Sequence, residues 1–216
     1  MNNEEKFKEY FLFKANELLM KRENRKFEID QYNEYAVDFF ISYFFTHQQL
    51  KEMRGVNRKG IYLYGNIGTG KSLLFEILEY LYRDIEDKKI NTEFLNTIRI
   101  KTLNTIEIVD QYRSQLSRPG QLASNDQTLY QKTAMGTIHF EDLGAENKIN
   151  HYGNIAEVMS EILQIRYSRL NKTKCKTFIT SNLTPGQVQD RYGERVYDRM
   201  FQLFNFLKLN GKSRRK

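Results

Sequence analysis

The sequence predicts an α/β fold: a parallel five-stranded sheet between helices, preceded by a short helical N-terminal extension. Three observations carry this prediction. From Lys59 onward, short apolar runs alternate with longer helical patterns, as in strands joined by crossover helices. Between the first such run and the first such helix lies a glycine-rich turn, Gly65-Asn66-Ile67-Gly68-Thr69-Gly70-Lys71-Ser72. The chain of 216 residues, 40% hydrophobic and 28% charged, is long enough for one well-buried domain with a small addition.

Residues 4–22 are predicted as a helix, with Phe7, Tyr10, Phe11, Phe13, Leu18 and Leu19 on a broad apolar face. The run Lys21-Arg22-Glu23-Asn24-Arg25-Lys26 breaks it. A second helix is expected from about Asp30, as N-cap, to Phe45. Its aromatic residues Tyr32, Tyr35, Phe39, Phe40, Tyr43, Phe44 and Phe45 need a covering surface, either the rest of this chain or another protein. These helices make up an extension, residues 1–54, ahead of a domain at residues 55–216.

Within that domain, Gly60-Ile61-Tyr62-Leu63-Tyr64 reads as the first strand, and residues 72–82 read as an apolar helix. Ile98-Arg99-Ile100-Lys101 is the second strand, followed by a helix through Ile106, Ile108, Val109 and Tyr112. Thr137-Ile138-His139-Phe140 is the third. A long helix is expected over residues 154–170, with Ile155, Val158, Met159, Ile162 and Leu163 on one side. Thr177-Phe178-Ile179-Thr180 and Phe204-Asn205-Phe206-Leu207-Lys208-Leu209 complete five strands.

Composition excludes several classes. No run approaches the ~20 apolar residues that span a bilayer, and the polar start Met1-Asn2-Asn3-Glu4-Glu5-Lys6 is unlike a secretory signal. A cytoplasmic location, with no membrane partner, is therefore expected. The single Cys175 cannot form an internal disulfide and reads as a core thiol. One cysteine and three scattered histidines leave no metal-ligand cluster. The net charge of +7 permits a polyanionic partner without requiring one.

The turn 65–72 fits the phosphate-binding pattern of two glycines with four residues between them, followed by Lys-Ser. Glycines at Gly65, Gly68 and Gly70 let backbone N–H groups, including those of Asn66, Ile67 and Thr69, close around a phosphate at a helix N-terminus. Lys71 neutralises the β- and γ-phosphates, and the Ser72 hydroxyl is a Mg²⁺ ligand. A plain glycine turn before a helix would not require Lys followed by Ser. ATP and Mg²⁺ are the expected cofactors.

Downstream, the third strand ends in Glu141-Asp142. At the carboxyl end of a parallel strand, the first acid suits the Mg²⁺ shell and the second suits orienting or deprotonating water. His139 reads as a strand residue. Asn182 ends the strand Thr180-Ser181, placing it to bridge water and γ-phosphate, or merely to start a turn. Arg195 and Arg199, spaced i,i+4, share one helix face; such arginines are commonly solvated or salt-bridged, and phosphate sensing is the sharper alternative.

The order of these strings resembles the DnaC/DnaI/IstB branch of AAA+ ATPases over about residues 55–216. The strings are the phosphate loop, Glu141-Asp142-Leu143-Gly144-Ala145-Glu146, Arg166-Tyr167, Thr180-Ser181-Asn182-Leu183, and Gly193-Glu194-Arg195 with Arg199-Met200. That branch contains bacterial replicative helicase loaders and transposition-helper ATPases. The resemblance implies a P-loop NTPase fold of the AAA+ (ASCE) type and ATPase activity. It implies Lys71, Asp142, Asn182 as sensor 1 and Arg199 as catalytic residues, Arg199 being a finger offered to a neighbouring subunit with Arg195 as its companion. Single-stranded DNA, a replicative helicase (or a transposase), and further copies of this chain in a nucleotide- or partner-dependent homo-oligomer are the implied partners.

Two departures shape the expectation. The family usually has Asp where Glu141 stands, so hydrolysis is expected to be slow and stimulated by assembly or DNA. The region 1–54 is short for a full helicase-docking domain, and Gly211-Lys212-Ser213-Arg214-Arg215-Lys216 follows the fifth strand closely, so no helical lid is expected. Tyr112 and Arg113, with the loop Ser117-Arg118-Pro119-Gly120, correspond to the part that resembles a DNA channel in loaders; Tyr112 could stack a base and Arg113 hold a phosphate, or Tyr112 could pack in the core with Arg113 solvated. The expected function is a helicase-loader-like ATPase. An IstB-like transposition helper and an ATP-dependent binding switch with little hydrolysis stand as alternatives.

Overall fold

Strand β1 (Gly60–Tyr64) is buried along nearly its whole length and β6 (Thr177–Ser181) along all of it. Strands buried on both faces belong in the middle of a parallel sheet. The computed structural model, which describes residues 3–45, 47–89, 98–116, 128–151, 154–173 and 175–215, puts them there. With β2 (Lys101–Asn104), β3 (Ile138–Leu143) and β7 (Phe204–Lys208) they form a parallel five-stranded sheet, flanked by helices, in the order β2-β3-β6-β1-β7. Ile179 of β6 pairs with Tyr62 on one side and Phe140 on the other.

Contacts group the chain into two units: residues 1–57 with 66–100 and 208–216, and residues 58–65 with 101–207. The first unit contains α1 (Asn3–Glu23), α2 (Glu34–Phe45), α3 (His47–Glu52) and α4 (Lys71–Asp87). Phe39, Phe40, Tyr43 and Phe44 are buried, and Phe40 meets Phe75 of α4 edge-on at 5.1 Å. This chain therefore covers most of the aromatic face of α2, leaving Tyr35 exposed, as is Tyr32 in the turn before it. Polar pairs run from α1 to α4: buried Lys14 donates to Asp84 at 2.7 Å, and Tyr80 donates to Glu17 at 2.6 Å.

Helix α2 begins at Glu34, later than the expected start near Asp30. The Asp30 carboxylate accepts from the N–H groups of Tyr32 (2.9 Å) and Asn33 (3.2 Å). It closes a turn of its own before the helix can start.

The second unit holds the sheet with α5 (Thr105–Leu116), α6 (Leu129–Ala134), α7 (Val158–Arg169), α8 (Pro185–Tyr192) and α9 (Glu194–Leu203). Tyr62, Val109, Phe140, Met159, Ile162, Ile179, Met200 and Phe204 share its core. The long helix expected over 154–170 is corrected: α7 starts only at Val158. Residues 154–156 form β5 (Asn154–Ala156), antiparallel to β4 (Ile149–His151), with Ile149 opposite Ala156. Cross-strand pairing has claimed the backbone groups that a helix would need. The second strand, expected over 98–101, is corrected: β2 starts only at Lys101, opposite Ile138, and runs on to Asn104. Cys175 is half-buried, its Sγ accepting from Gly136 N at 3.0 Å. Among the described residues no helix is long and apolar enough to cross a membrane.

Candidate functional site

The phosphate-loop pattern begins at Gly65, the last residue of its stretch in the second unit, and continues through residues 66–72 in the first. Thr69 Oγ1 donates to Asn66 O at 2.9 Å, and Lys71 Nζ donates to the same oxygen at 2.8 Å. Lys71 is thereby folded back along the loop. Gly70 (φ 99°) is the N-cap of α4 and supplies no side-chain cap. The first-turn N–H groups of a 17-residue helix thus point at a site with no capping oxygen from Gly70, an arrangement suited to an anion. Gly68 (φ 80°) has the Ser213 hydroxyl where a Cβ would stand. Only glycine serves there. The loop has the conformation and charge that fit a triphosphate.

Beside the loop, and within the same unit, is a cavity of about 230 Å³. Thr69, Gly70, Leu73 and Leu74 line one part, Phe27, Glu28 and Val37 another, and Leu209, Ser213, Arg214 and Arg215 a third. The C-terminal segment is tied in place: Arg214 N donates to Gly68 O at 2.8 Å, and the Arg214 guanidinium grips both oxygens of Asp30 at 2.7 and 2.8 Å. In the sequence, 212–216 reads only as a basic tail, suited to touching phosphate or simply to solvation; Lys216 lies outside the described residues. Nothing local in the sequence sets Phe27, Leu209 or Ser213 beside the loop, because that placement depends on segments distant in the chain.

In the second unit the carboxyl ends of three neighbouring strands gather Gly65, Glu141, Asp142 and Asn182. Gly65 N donates to Ser181 O at 3.3 Å, and Ser181 Oγ donates to Leu143 O at 2.6 Å. The end of β6, where Asn182 follows, is therefore stapled to the ends of β1 and β3. Asn182 is exposed; Glu141 and Asp142 are half-buried. Neither carboxylate has a hydrogen bond or ion pair among the described residues. Such strand ends are where open α/β sheets place ligands.

Asp142 has a left-handed backbone, φ 57°, which costs a non-glycine residue roughly 1–2 kcal/mol. Its main chain is held by three hydrogen bonds. Asp142 N donates to Thr180 Oγ1 at 3.3 Å, and Asp142 O accepts from Thr105 Oγ1 and Ala145 N, each at 2.9 Å. His139 lies 1% exposed between Thr102 and Thr180, at 3.3 and 3.2 Å. Burial lowers its pKa to about 3, so it stays neutral in the strand. Among the described residues no three His, Cys, Asp or Glu side chains gather as a metal cage. Magnesium is commonly held by one or two protein oxygens plus phosphates, and Ser72 and Glu141 offer oxygens of that kind.

Arg195 and Arg199 are both on α9. Arg195 is exposed, whereas Arg199 lies against Tyr167 and Gln164 of α7. Tyr112 packs on the core, its ring 5.7 Å from that of Tyr130. Exposed Arg113 pairs with Asp110 at 3.2 Å. The loop 117–120 lies outside the described residues.

No protein-family model matches the chain, and no curated protein sequence does either. Solved structures do. A crystal structure of the DnaC helicase loader matches with a TM-score of 0.56 at 19% identity, over 85% of this chain and 93% of its own. A crystal structure of DnaI matches with 0.53 at 20% identity, over 89% of each chain. AMPPCP-bound DnaA from Aquifex aeolicus matches with 0.51 at 14% identity, over 87% of this chain and 50% of that one. The fold is thus of the P-loop AAA+ type, similar to that of the DnaC and DnaI structures.

Proposed function

We propose that this chain binds ATP on the loop 65–72, hydrolyses it slowly, and acts as a DnaC/DnaI-type helicase loader on single-stranded DNA. The observation that carries the reading is the loop itself: glycines in left-handed backbone, a folded-back Lys71, and the N-terminus of α4 without a side-chain cap. The neighbouring cavity takes the base and ribose, with Phe27, Leu73 and Leu209 as apolar walls and Arg215 as a cation toward the phosphates. Ser72 and Glu141 each carry an oxygen that would suit magnesium, which would supply neutralisation of phosphate charge. Lys71 supplies further positive charge, Asp142 orients and deprotonates the attacking water, and Asn182 holds that water in line. Arg199 serves the nucleotide of a neighbouring copy, with Arg195 beside it. A replicative helicase and DNA as partners are supported by the likeness to the DnaC helicase loader, and the charge of +7 permits DNA.

Titration with a fluorescent ATP analogue tests the base of this reading. Lys71→Ala should lower affinity about 10- to 100-fold with the melting temperature kept, since hydrogen bonds to charged groups are worth roughly 1.5–3 kcal/mol. Unchanged affinity overturns it. Phosphate release with and without single-stranded DNA then tests the rest. Stimulation that weakens steeply with salt is expected, and Tyr112→Ala or Arg113→Ala should reduce it without altering ATP affinity. Stimulation by duplex instead of single strands moves the assignment to a transposition helper.

A further inference from the structure

Just beyond Asp142 the chain turns at Gly144 and buries Glu146, 3% exposed. A buried carboxylate is costly unless paired and hydrogen-bonded, and Glu146 is held from three directions. Its Oε2 accepts from Gly144 N at 2.9 Å, its Oε1 accepts from the Tyr192 hydroxyl, and Arg191 Nη2 lies 3.3 Å from Oε1. Arg191 also holds the main chain of the same turn. Its Nη1 donates to Gly144 O at 2.5 Å and its Nη2 to Glu146 O. Burial and the Glu146 charge push the Tyr192 phenol upward, so it remains a proton donor. The turn 142–146 is thus gripped at both ends: by Thr105 and Thr180 on Asp142, and by Arg191, Tyr192 and the Glu146 carboxylate beyond it.

The Asp142 carboxylate has no partner of its own among the described residues, so nothing in its side-chain contacts fixes its aim. The aim is fixed through the backbone, which sits at a strained φ of 57° that a loosened turn would release. We propose that Glu146 and Arg191, backed by Tyr192, are positioning residues for Asp142, holding this strained turn in the conformation that directs the carboxylate. The inference rests on the role given to Asp142 above. The competing explanation is that the cluster only fastens α8 to the end of β3.

Single-turnover phosphate release by the full chain separates the two, with ATP affinity and melting temperature measured alongside. Arg191→Lys keeps the charge but loses the planar fork that spans Gly144 O and Glu146 O. It should cut the rate about tenfold or more with ATP affinity within about twofold, because displacements near 1 Å can cost on the order of 10²-fold. Glu146→Gln, which still accepts from Gly144 N, should fall between wild type and Arg191→Lys. In an Asp142→Asn background, Arg191→Lys should cost about twofold or less, since the group it positions is already gone. A full-rate Arg191→Lys, or an equal loss in both backgrounds, overturns the inference. If Arg191→Lys does not fold, Tyr192→Phe, which deletes one oxygen, takes its place: a loss confined to the Asp142 background supports the inference, and a full rate or an equal loss in both overturns it. Asp142→Asn at wild-type rate overturns instead the role of Asp142, and the inference with it.

Discussion

The Arg199 guanidinium lies 4.7 Å from the centre of the Tyr167 ring, and its Nη1 donates to Gln164 Oε1 at 3.2 Å. The acids near it in sequence, Glu194 and Asp198, are exposed, and neither pairs with it among the described residues. A cation resting on a ring rather than on a carboxylate keeps its full charge available, and such stacks are worth roughly 0.5–1 kcal/mol at exposed sites. Arg199→Ala should therefore cost little stability while lowering ATP turnover strongly; arginine fingers are worth on the order of 10³–10⁵ in rate. Turnover should rise with protein concentration, and mixing Arg199→Ala with Lys71→Ala protein should restore part of it. Activity independent of concentration, with no restoration on mixing, would place Arg199 in a purely internal role.

For the acid pair, Asp142→Asn should retain ATP and lose turnover, read as bound nucleotide that is not cleaved. Glu141→Asp should keep or raise the rate, since it restores the ligand length usual in similar ATPases. A slower Glu141→Asp enzyme would show that the site is built around the longer side chain.

Arg166 is 3% exposed and donates to Thr133 O, Gly136 O, Lys176 O and Thr177 Oγ1, at 2.8, 2.9, 2.8 and 2.6 Å. Burial lowers its pKa to about 10, so it remains charged at neutral pH. Arg166→Met leaves three carbonyls without this donor. At about 1–3 kcal/mol for each buried group left unsatisfied, the loss should reach about 3 kcal/mol, measured by urea unfolding. A loss under about 1 kcal/mol would mean that water replaces the guanidinium.

In the helical unit, burial works against the Asp84 charge. Hydrogen bonds from Lys14, Lys88 and Tyr10 outweigh it and hold the carboxyl well below the usual range. A depressed folded pKa contributes stability that is present above the unfolded value, about 4, and is lost as pH falls toward the folded one. Melting temperature should thus drop below about pH 4, and Asp84→Asn should lower it at pH 7 while flattening that acid drop. An Asp84→Asn protein as acid-sensitive as wild type would assign the drop to other carboxylates.

The glycine-rich loop 65–72, β1 and β6 were legible in the sequence because their determinants are local. Glycine backbone freedom, a Lys-Ser pair at a helix start and short runs of apolar and β-branched residues act within a few residues. The same locality misled at 154–157, where helical spacing lost to hairpin pairing with 149–151. It misled again at Asp30, whose carboxylate closes a turn before α2. Arg166 stood in the sequence only as part of a family-like string; its four acceptors come from the end of α6, the turn after it and the start of β6, and assign it to the fold.

By itself, then, the sequence determined the order along the chain of the five strands of the main sheet and the glycine-rich turn at 65–72 between the first strand and a helix. The tertiary structure alone decided which side chains meet: Ser213 and Arg214 against Gly68, Arg199 on Tyr167, and Arg191 on the turn beside Asp142. Backbone propensity and apolar periodicity are written in neighbouring residues, whereas a hydrogen bond between positions 45 apart, such as that of Arg191 with Glu146, exists only once the chain has closed on itself.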